Sequence, residues 1–347
     1  MNSWDVIVAG AGLAGICTAL ELRNQHANVL VLDRGEPGHE ASSAAAGMLA
    51  PDDPETPAPL RPMAAESARM YPEFIRKLEH ASECKVDFRR QGAIVLGEKD
   101  PPKSYQLINP DELYRMEPEL KAGEHPAFFV AESSVDPVLL MRAAVRAAEF
   151  SGIKLRSGVT VQQMRAAGSH VEVITDHGIF TAKAAVNCMG AWSGAPVRPR
   201  KGQMLNLQPS RRGLLKYVLR TPEVYLVPRS SGKILVGTTV EDVGFDKSVN
   251  PEVIRGLHQA AARYIPELES ATVTESWAGL RPGTPDDLPL IGPTEPNVFI
   301  ASGLFRNGIL LAPLTGKIVA DLVMQRPEAL DISPFSPGRF APATASS

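Results

Sequence analysis

The chain has 347 residues, 44% apolar and 22% charged, and a formal net charge of −3. That length allows two domains with cores of their own, and the composition is ordinary for a globular protein. The near-neutral balance leaves no broad basic surface, so nucleic acid is not an expected partner.

The first element is a buried strand, Val6 to Ala9, followed by Gly10, Gly12 and Gly15 at G-x-G-x-x-G spacing and a helix over 16–23. Gly10 permits a tight turn, Gly12 lets the backbone approach a pyrophosphate, and Gly15 lets the helix pack on the sheet. Leu13 and Ala14 line the turn, and the helix N-terminus offers N–H groups and a positive dipole end. A dinucleotide site is expected. Val29 to Leu32 reads as the second parallel strand, with Asp33 at its end to accept from ribose hydroxyls. That carboxylate disfavours a 2′-phosphate, whereas Arg34 beside it pulls the other way.

The uncharged stretch 6–20 follows an acid, Asp5, and no base, which is the opposite of a signal-peptide pattern. No run reaches membrane-spanning length. Cys17, Cys84 and Cys188 show no metal or disulfide spacing, and the seven histidines hold no H-x-x-H pair. A metal-free protein of the reducing cytoplasm is expected, with no membrane partner.

A small-residue stretch, 40–48, leads to prolines at 51, 54, 57, 59 and 62. That density stiffens a loop and excludes a helix, marking a domain boundary or part of a lid. Residues 64–83 then read as an amphipathic helix through Met70, Phe74 and Leu78. A strand over 91–97 and a short helix over 111–117 follow. A helix over 136–152 opens with Asp136 as N-cap and Pro137 at its first position. Strands near 154–155, 159–161, 171–175 and 180–182 suggest a meander. The run 184–192 reads as a separate buried strand of the nucleotide sheet. Residues 196–278, with strands at 225–227 and 233–237 and a helix at 251–264, suggest an antiparallel sheet with helical cover. The basic clusters Arg198 to Lys201 and Arg211–Arg212 are expected in solvated loops. A last strand, 297–302, precedes Gly303 and a helix over 308–324, and the tail rich in Pro, Ser and Ala is expected to be loosely held.

Two segments go beyond a generic nucleotide fold. One is 41–49; the other runs from Trp277 through Arg281 and Gly292 to the stretch Gly303 to Pro313. With the glycine fingerprint and Lys201-Gly202-Gln203, they resemble the D-amino-acid oxidase superfamily of FAD enzymes, nearest its glycine-oxidising branch. The resemblance implies an α/β (α+β overall) architecture: a Rossmann-like FAD-binding domain from 1–50, 135–195 and 279–330, a substrate domain with an antiparallel sheet from 51–134 and 196–278, and a loose tail over 331–347. It implies oxidation of a small amino acid, glycine foremost, to the imine, with molecular oxygen reduced to hydrogen peroxide and the imine feeding thiamine thiazole formation. A homo-oligomer is the expected assembly.

The same resemblance places Ala41, Ser42, Ala46, Gly47 and Met48 beside the flavin and Val161 at the adenine. It adds Gly279, Gly303, Leu304, Phe305, Arg306, Asn307, Gly308, Ile309 and Leu310 to the cofactor site, the helix start there stabilising negative charge on reduced flavin. Arg281 would clamp the substrate carboxylate with two parallel hydrogen bonds, Tyr225 would add a third, and Arg306 would reach the site or cap structure. Glu223, an acid near the pocket mouth, departs from the pattern and would repel carboxylates or favour amines. No cysteine follows Cys188, so the FAD is expected to be non-covalent. A sarcosine oxidase, a D-amino-acid dehydrogenase and a non-oxidase FAD-binding protein are the rival readings.

Overall fold

A run of buried β-branched residues followed by glycines sets the first unit. In a computed structural model describing residues 4–327 and 330–340, β1 (Trp4–Ala9), α1 (Leu13–Asn24) and β2 (Val29–Leu32) form it, with Val6 beside Val29 and Ala9 beside Leu32 in parallel register. The helix starts at Leu13, three residues earlier than expected, because Gly12 adopts the extended N-cap conformation. Gly10 has φ +99°, and a Cβ there would lie 2.3 Å from the Cys188 carbonyl oxygen. At Gly15 a Cβ would lie 1.9 Å from the Gly10 carbonyl, so the helix rests directly on the turn.

The chain continues through α2 (Ala41–Ala44), β3 (Met48–Leu49), α3 (Arg61–Ser82), β4 (Phe88–Arg89), β5 (Ala93–Leu96), β6 (Gln106–Ile108), α4 (Pro110–Met116), β7 (Ala127–Val130), β8 (Ser133–Val135) and α5 (Pro137–Phe150). Asp136 caps α5 as expected, accepting from the Val138 and Leu139 N–H groups. The proline-rich stretch does not stay helix-free. Ala58–Leu60 forms a 3-10 turn and α3 begins at Arg61, because Pro62 falls in the first turn, where its missing N–H costs nothing.

Next come β9 (Lys154–Arg156), β10 (Val161–Ala167), β11 (His170–Thr175), β12 (Gly178–Asn187), β13 (Arg198–Gln208), β14 (Val218–Arg220), β15 (Tyr225–Pro228), β16 (Ile234–Gly237), α6 (Pro251–Tyr264), β17 (Thr272–Gly283), β18 (Leu290–Glu295), β19 (Val298–Ser302) and α7 (Gly308–Val323). The first sheet runs β10-β11-β12-β1-β2-β9. The two strands expected at 180–182 and from 184 are one strand, β12. Its first half pairs antiparallel with β11, and its second half pairs parallel with β19. Lys183, at the expected break, points outward and pairs with Asp5. Trp192 lies beyond the strand, in a 3-10 turn.

The second sheet runs β17-β13-β16-β15-β14-β5-β7-β6, antiparallel except where β14 and β5 pair parallel. Arg198 to Lys201 is strand β13 and not a loop, and Lys201 is buried against Asp246 and Glu241. The expected domain junction before Gly279 falls inside β17, so Gly279 and Arg281 sit on this second sheet. Helices α1, α3, α5 and α7 pack against the first sheet in one core, while α6 covers the second sheet in another. The short ladder β3-β8-β4 stands apart from both sheets.

Pro313 lies inside α7 and cannot donate to the Ile309 carbonyl. The Tyr71 hydroxyl on α3 donates to that carbonyl instead, and Ser67 Oγ donates to the Leu310 carbonyl at 2.6 Å. Where a loose tail was expected, residues through 340 are packed: Phe335 is buried, and Arg339 pairs with Asp286. Residues 341–347 of that tail lie outside the described residues. Among the described residues no helix is long and apolar enough to cross a membrane.

Candidate active site

A continuous cleft of about 1010 Å³ is walled by the glycine turn, the first turns of α1 and α7, and the second sheet. Gly10, Gly12, Leu13, Ala14, Asp33, Arg34, Ala41, Ser42, Ala46, Gly47, Met48, Val161, Gly279, Leu304, Phe305, Arg306, Asn307, Gly308 and Ile309 line it, as do Tyr225 and Arg281. Gly15, Gly303 and Leu310 are not brought to it. Gly15 stands behind the turn, a Gly303 Cβ would strike Thr284, and Leu310 is buried in the first core.

At one end, Asp33 accepts from the Ala11 N–H at 2.6 Å and the Gly35 N–H at 2.8 Å. A carboxylate has further acceptor capacity beyond two such bonds. Arg34 is engaged elsewhere: its guanidinium lies 3.6 Å above the Trp192 ring and 2.8 Å from Glu40. Ser42 Oγ accepts from the Leu13 N–H at 2.9 Å, tying the small-residue stretch to the start of α1. The start of α7 carries no acidic residue and no side-chain cap, and Asn307, Gly308 and Ile309 there line the cleft.

At the other end, Arg281 on β17 donates to Thr238 Oγ1 at 2.9 Å and to the Thr239 carbonyl at 3.2 Å. The guanidinium lies over Gly202, where a Cβ would be 2.2 Å from Nη1; this is the work of the glycine in Lys201-Gly202-Gln203. A guanidinium carries five N–H donors, so these bonds do not exhaust its capacity. Tyr225 on β15 is close to it. Burial pushes the phenol pKa up, and the Arg281 cation opposes that shift. The Tyr225 hydroxyl also lies 3.4 Å from the Met204 sulfur.

Arg306 lines the cleft but pairs with Glu55 and lies 3.7 Å from Asp53, both in the proline-rich segment. Glu223 lines the cleft too, with its carboxylate held below its usual range by Arg263. Its charge is therefore met before it can repel a substrate.

Arg220 on β14 escaped sequence reasoning. It lines the cleft and pairs with Asp53 at 3.0 Å and Glu132 at 2.9 Å, while donating to the Tyr105 hydroxyl at 3.1 Å. Nothing in the run Val218-Leu219-Arg220 sets it apart from a strand arginine that turns to solvent. Burial pushes the Glu132 carboxyl up to about 7, against the pull of Arg220. Thr238 was also missed, since a threonine after a glycine carries no motif. Cys17 and Cys188 are buried, and burial pushes both thiols up, Cys188 to about 12.

The residues fit an FAD. They supply a backbone cradle that a Cβ would fill, an acceptor at the ribose end, an uncapped helix start, and a cleft long enough to reach a carboxylate clamp. Comparison with known proteins agrees with that shape. The family described as FAD dependent oxidoreductase matches residues 5–322. A bifunctional ThiO/ThiG protein of Trichormus variabilis is 34% identical over 97% of this chain and 55% of its own length. The chain thus spans about half the length of the first curated relatives it matches. A glycine oxidase of Geobacillus kaustophilus is 32% identical over 96% of this chain and 97% of its own. The crystal structure of glycine oxidase from Geobacillus kaustophilus superposes with a TM-score of 0.92 at 31% identity, covering 98% of this chain and 99% of that one.

Proposed function

From the premise that the chain belongs to the FAD dependent oxidoreductase family, we propose that it oxidises glycine to iminoacetate, which water converts to glyoxylate and ammonia. Two of the relatives named above, called glycine oxidase and ThiO/ThiG, support glycine as substrate and thiamine thiazole formation as the use of the imine. The observation that carries the reading is Arg281: a half-buried guanidinium seated on Gly202 and aimed by Thr238 and Thr239 into the cleft that the glycine cradle opens.

The chemistry that FAD supplies when bound is acceptance of two electrons from the substrate and their transfer to molecular oxygen. The chain's own residues do the rest. Arg281 holds the substrate carboxylate in a two-point clamp, which sets where the α-carbon lies. Tyr225 offers a phenol donor to the same carboxylate, and its raised pKa keeps that proton in place at neutral pH. Met204, Met48 and Ala46 make the wall around Tyr225 apolar, which strengthens the charge pair by excluding water. The amine must be neutral for its lone pair to assist imine formation, and no side-chain base is assigned to it. The start of α7 lines the cleft, and its N–H groups and dipole would favour negative charge on a bound FAD.

The free thiols Cys17, Cys84 and Cys188 support a cytoplasmic, reducing setting. A homo-oligomer is our reading of the assembly, tested by light scattering on the eluted protein. The deciding experiment is a visible spectrum of the purified protein, then peroxide release with glycine, sarcosine and D-alanine side by side. A yellow protein that turns over glycine with peroxide is expected. A colourless protein that refuses added FAD overturns the reading. Bleaching without peroxide makes it a dehydrogenase, and preference for sarcosine makes it a sarcosine oxidase.

A further inference from the structure

The segment from Ala44 to Met48 lines the cleft, yet few of its own side chains can hold it. Its backbone is held from outside. The Val135 N–H donates to the Gly47 carbonyl at 2.8 Å, and Met48 pairs with Ser134. Two further donors come from the second sheet. Trp277 Nε1 on β17 donates to the Ala44 carbonyl at 3.1 Å. Arg229, in the turn between β15 and β16, donates through Nη2 to the Ala46 carbonyl at 2.7 Å and through Nη1 to the Val135 carbonyl at 3.1 Å.

Arg229 is an unusual residue to find there. Its side chain is 6% exposed, and the nearest carboxylate oxygen, on Asp136, is 4.0 Å from Nε. Asp136 is itself committed to capping α5. The cation is therefore buried against two neutral carbonyls, with Asp136 and Asp87 as its counter-charges and none in direct contact, an arrangement that costs free energy and calls for a role. Its neighbours suggest one. Tyr225 and Val227 alternate along one face of β15, Arg229 follows just beyond its end, and Val227 and Tyr225 share an apolar cluster with Ala46 and Met48. The Arg229 charge acts on the Tyr225 phenol as well.

We propose that Arg229 is a positioning residue for the oxidation: it ties the strand bearing Tyr225 to the backbone wall at Ala46–Gly47 and sets a buried positive charge behind that wall. The inference rests on the reading of the cleft as an FAD and amino-acid site. Such a charge favours the more negative, two-electron-reduced cofactor, and such a tie fixes the wall against the substrate. Lysine keeps the charge but cannot span Ala46 and Val135 with a planar fork. Methionine keeps the bulk and loses both.

The test compares Arg229→Met and Arg229→Lys as FAD-loaded proteins, reading midpoint potential, visible spectrum and steady-state constants with glycine. For Arg229→Met we expect a more negative potential and a kcat about ten- to a hundredfold lower, with KM within a factor of about three. For Arg229→Lys we expect the potential to return and kcat to recover in part. An Arg229→Met protein with wild-type potential and kcat overturns the proposal, as does one in which KM rises alone. Should Arg229→Met fail to fold, Trp277→Phe, which removes the companion bond to Ala44, is expected to shift the FAD spectrum and lower kcat. No change in that variant overturns the tie. If the wild type binds FAD but ignores glycine, the functional reading fails, while the potential and spectrum still decide the role of Arg229.

Discussion

The two ends of the cleft are built by different means. The glycine-turn end is made from residues close in sequence, Gly10 to Ala14 and then Asp33, and its wall is mostly backbone. The Arg281 end is gathered from β13, β15, β17 and the Thr238–Thr239 corner, and its polar atoms sit largely at side-chain tips. A backbone site tolerates almost any side chain that does not intrude, and fails abruptly when one does. A side-chain site degrades by the strength of the bond removed. The contrast teaches where a substitution should abolish the protein and where it should merely slow it.

Gly10→Ala breaks the first end hardest. Its Cβ would meet the Cys188 carbonyl at 2.3 Å in a conformation that L side chains rarely adopt, so we expect a loss of about 3 kcal/mol or more and a protein purified without yellow colour. Thermal melting and flavin content read this directly. Arg281→Ala breaks the second end while leaving the first intact. We expect kcat/KM for glycine to fall roughly 30- to 5,000-fold, or ~2–5 kcal/mol of transition-state binding, with the FAD spectrum unchanged. A near-wild-type rate removes Arg281 from the site.

The charged cluster beside the cleft sharpens the comparison through pH. Glu132 is raised in the folded protein from 4.5 to about 7. Between those values the unfolded chain has released its proton and the folded protein has not, so the folded state binds more protons and stability falls as pH rises. The loss should reach about 3 kcal/mol by pH 7 and then level off. Glu132→Gln removes that slope, which melting curves from pH 5 to pH 8 would reveal. Tyr225→Phe is a smaller perturbation, costing about 1 kcal/mol of transition-state binding and hence roughly fivefold in kcat/KM. Glu55→Ala is the smallest: its pair with Arg306 is largely exposed, so stability should change by less than about 1 kcal/mol.

What could be read from the sequence follows the same divide. The β1-α1-β2 unit, the Asp136 cap and the 251–264 helix were legible because each is set by neighbours a few residues away. That Arg281 lines the cleft was legible through its flanking motif. Arg220 and Arg229 were not, because nothing local distinguishes a strand arginine that turns into solvent from one that meets Glu132 or the Ala46 carbonyl from far along the chain. The strands expected at 180–182 and from 184 are one, because a single outward residue, Lys183, fits a continuous strand. Arg198 to Lys201 misled in the same way, since a basic run reads as solvated until a sheet partner such as β17 is known.

The Tyr71 hydroxyl that answers the carbonyl released by Pro313 has a mechanical corollary. The helix whose first turn faces the cleft takes part of its bearing from α3, and α3 begins where the prolines end. The first turn of α7, which lines the cleft, is thus braced by a phenol that lies behind the wall and not in it.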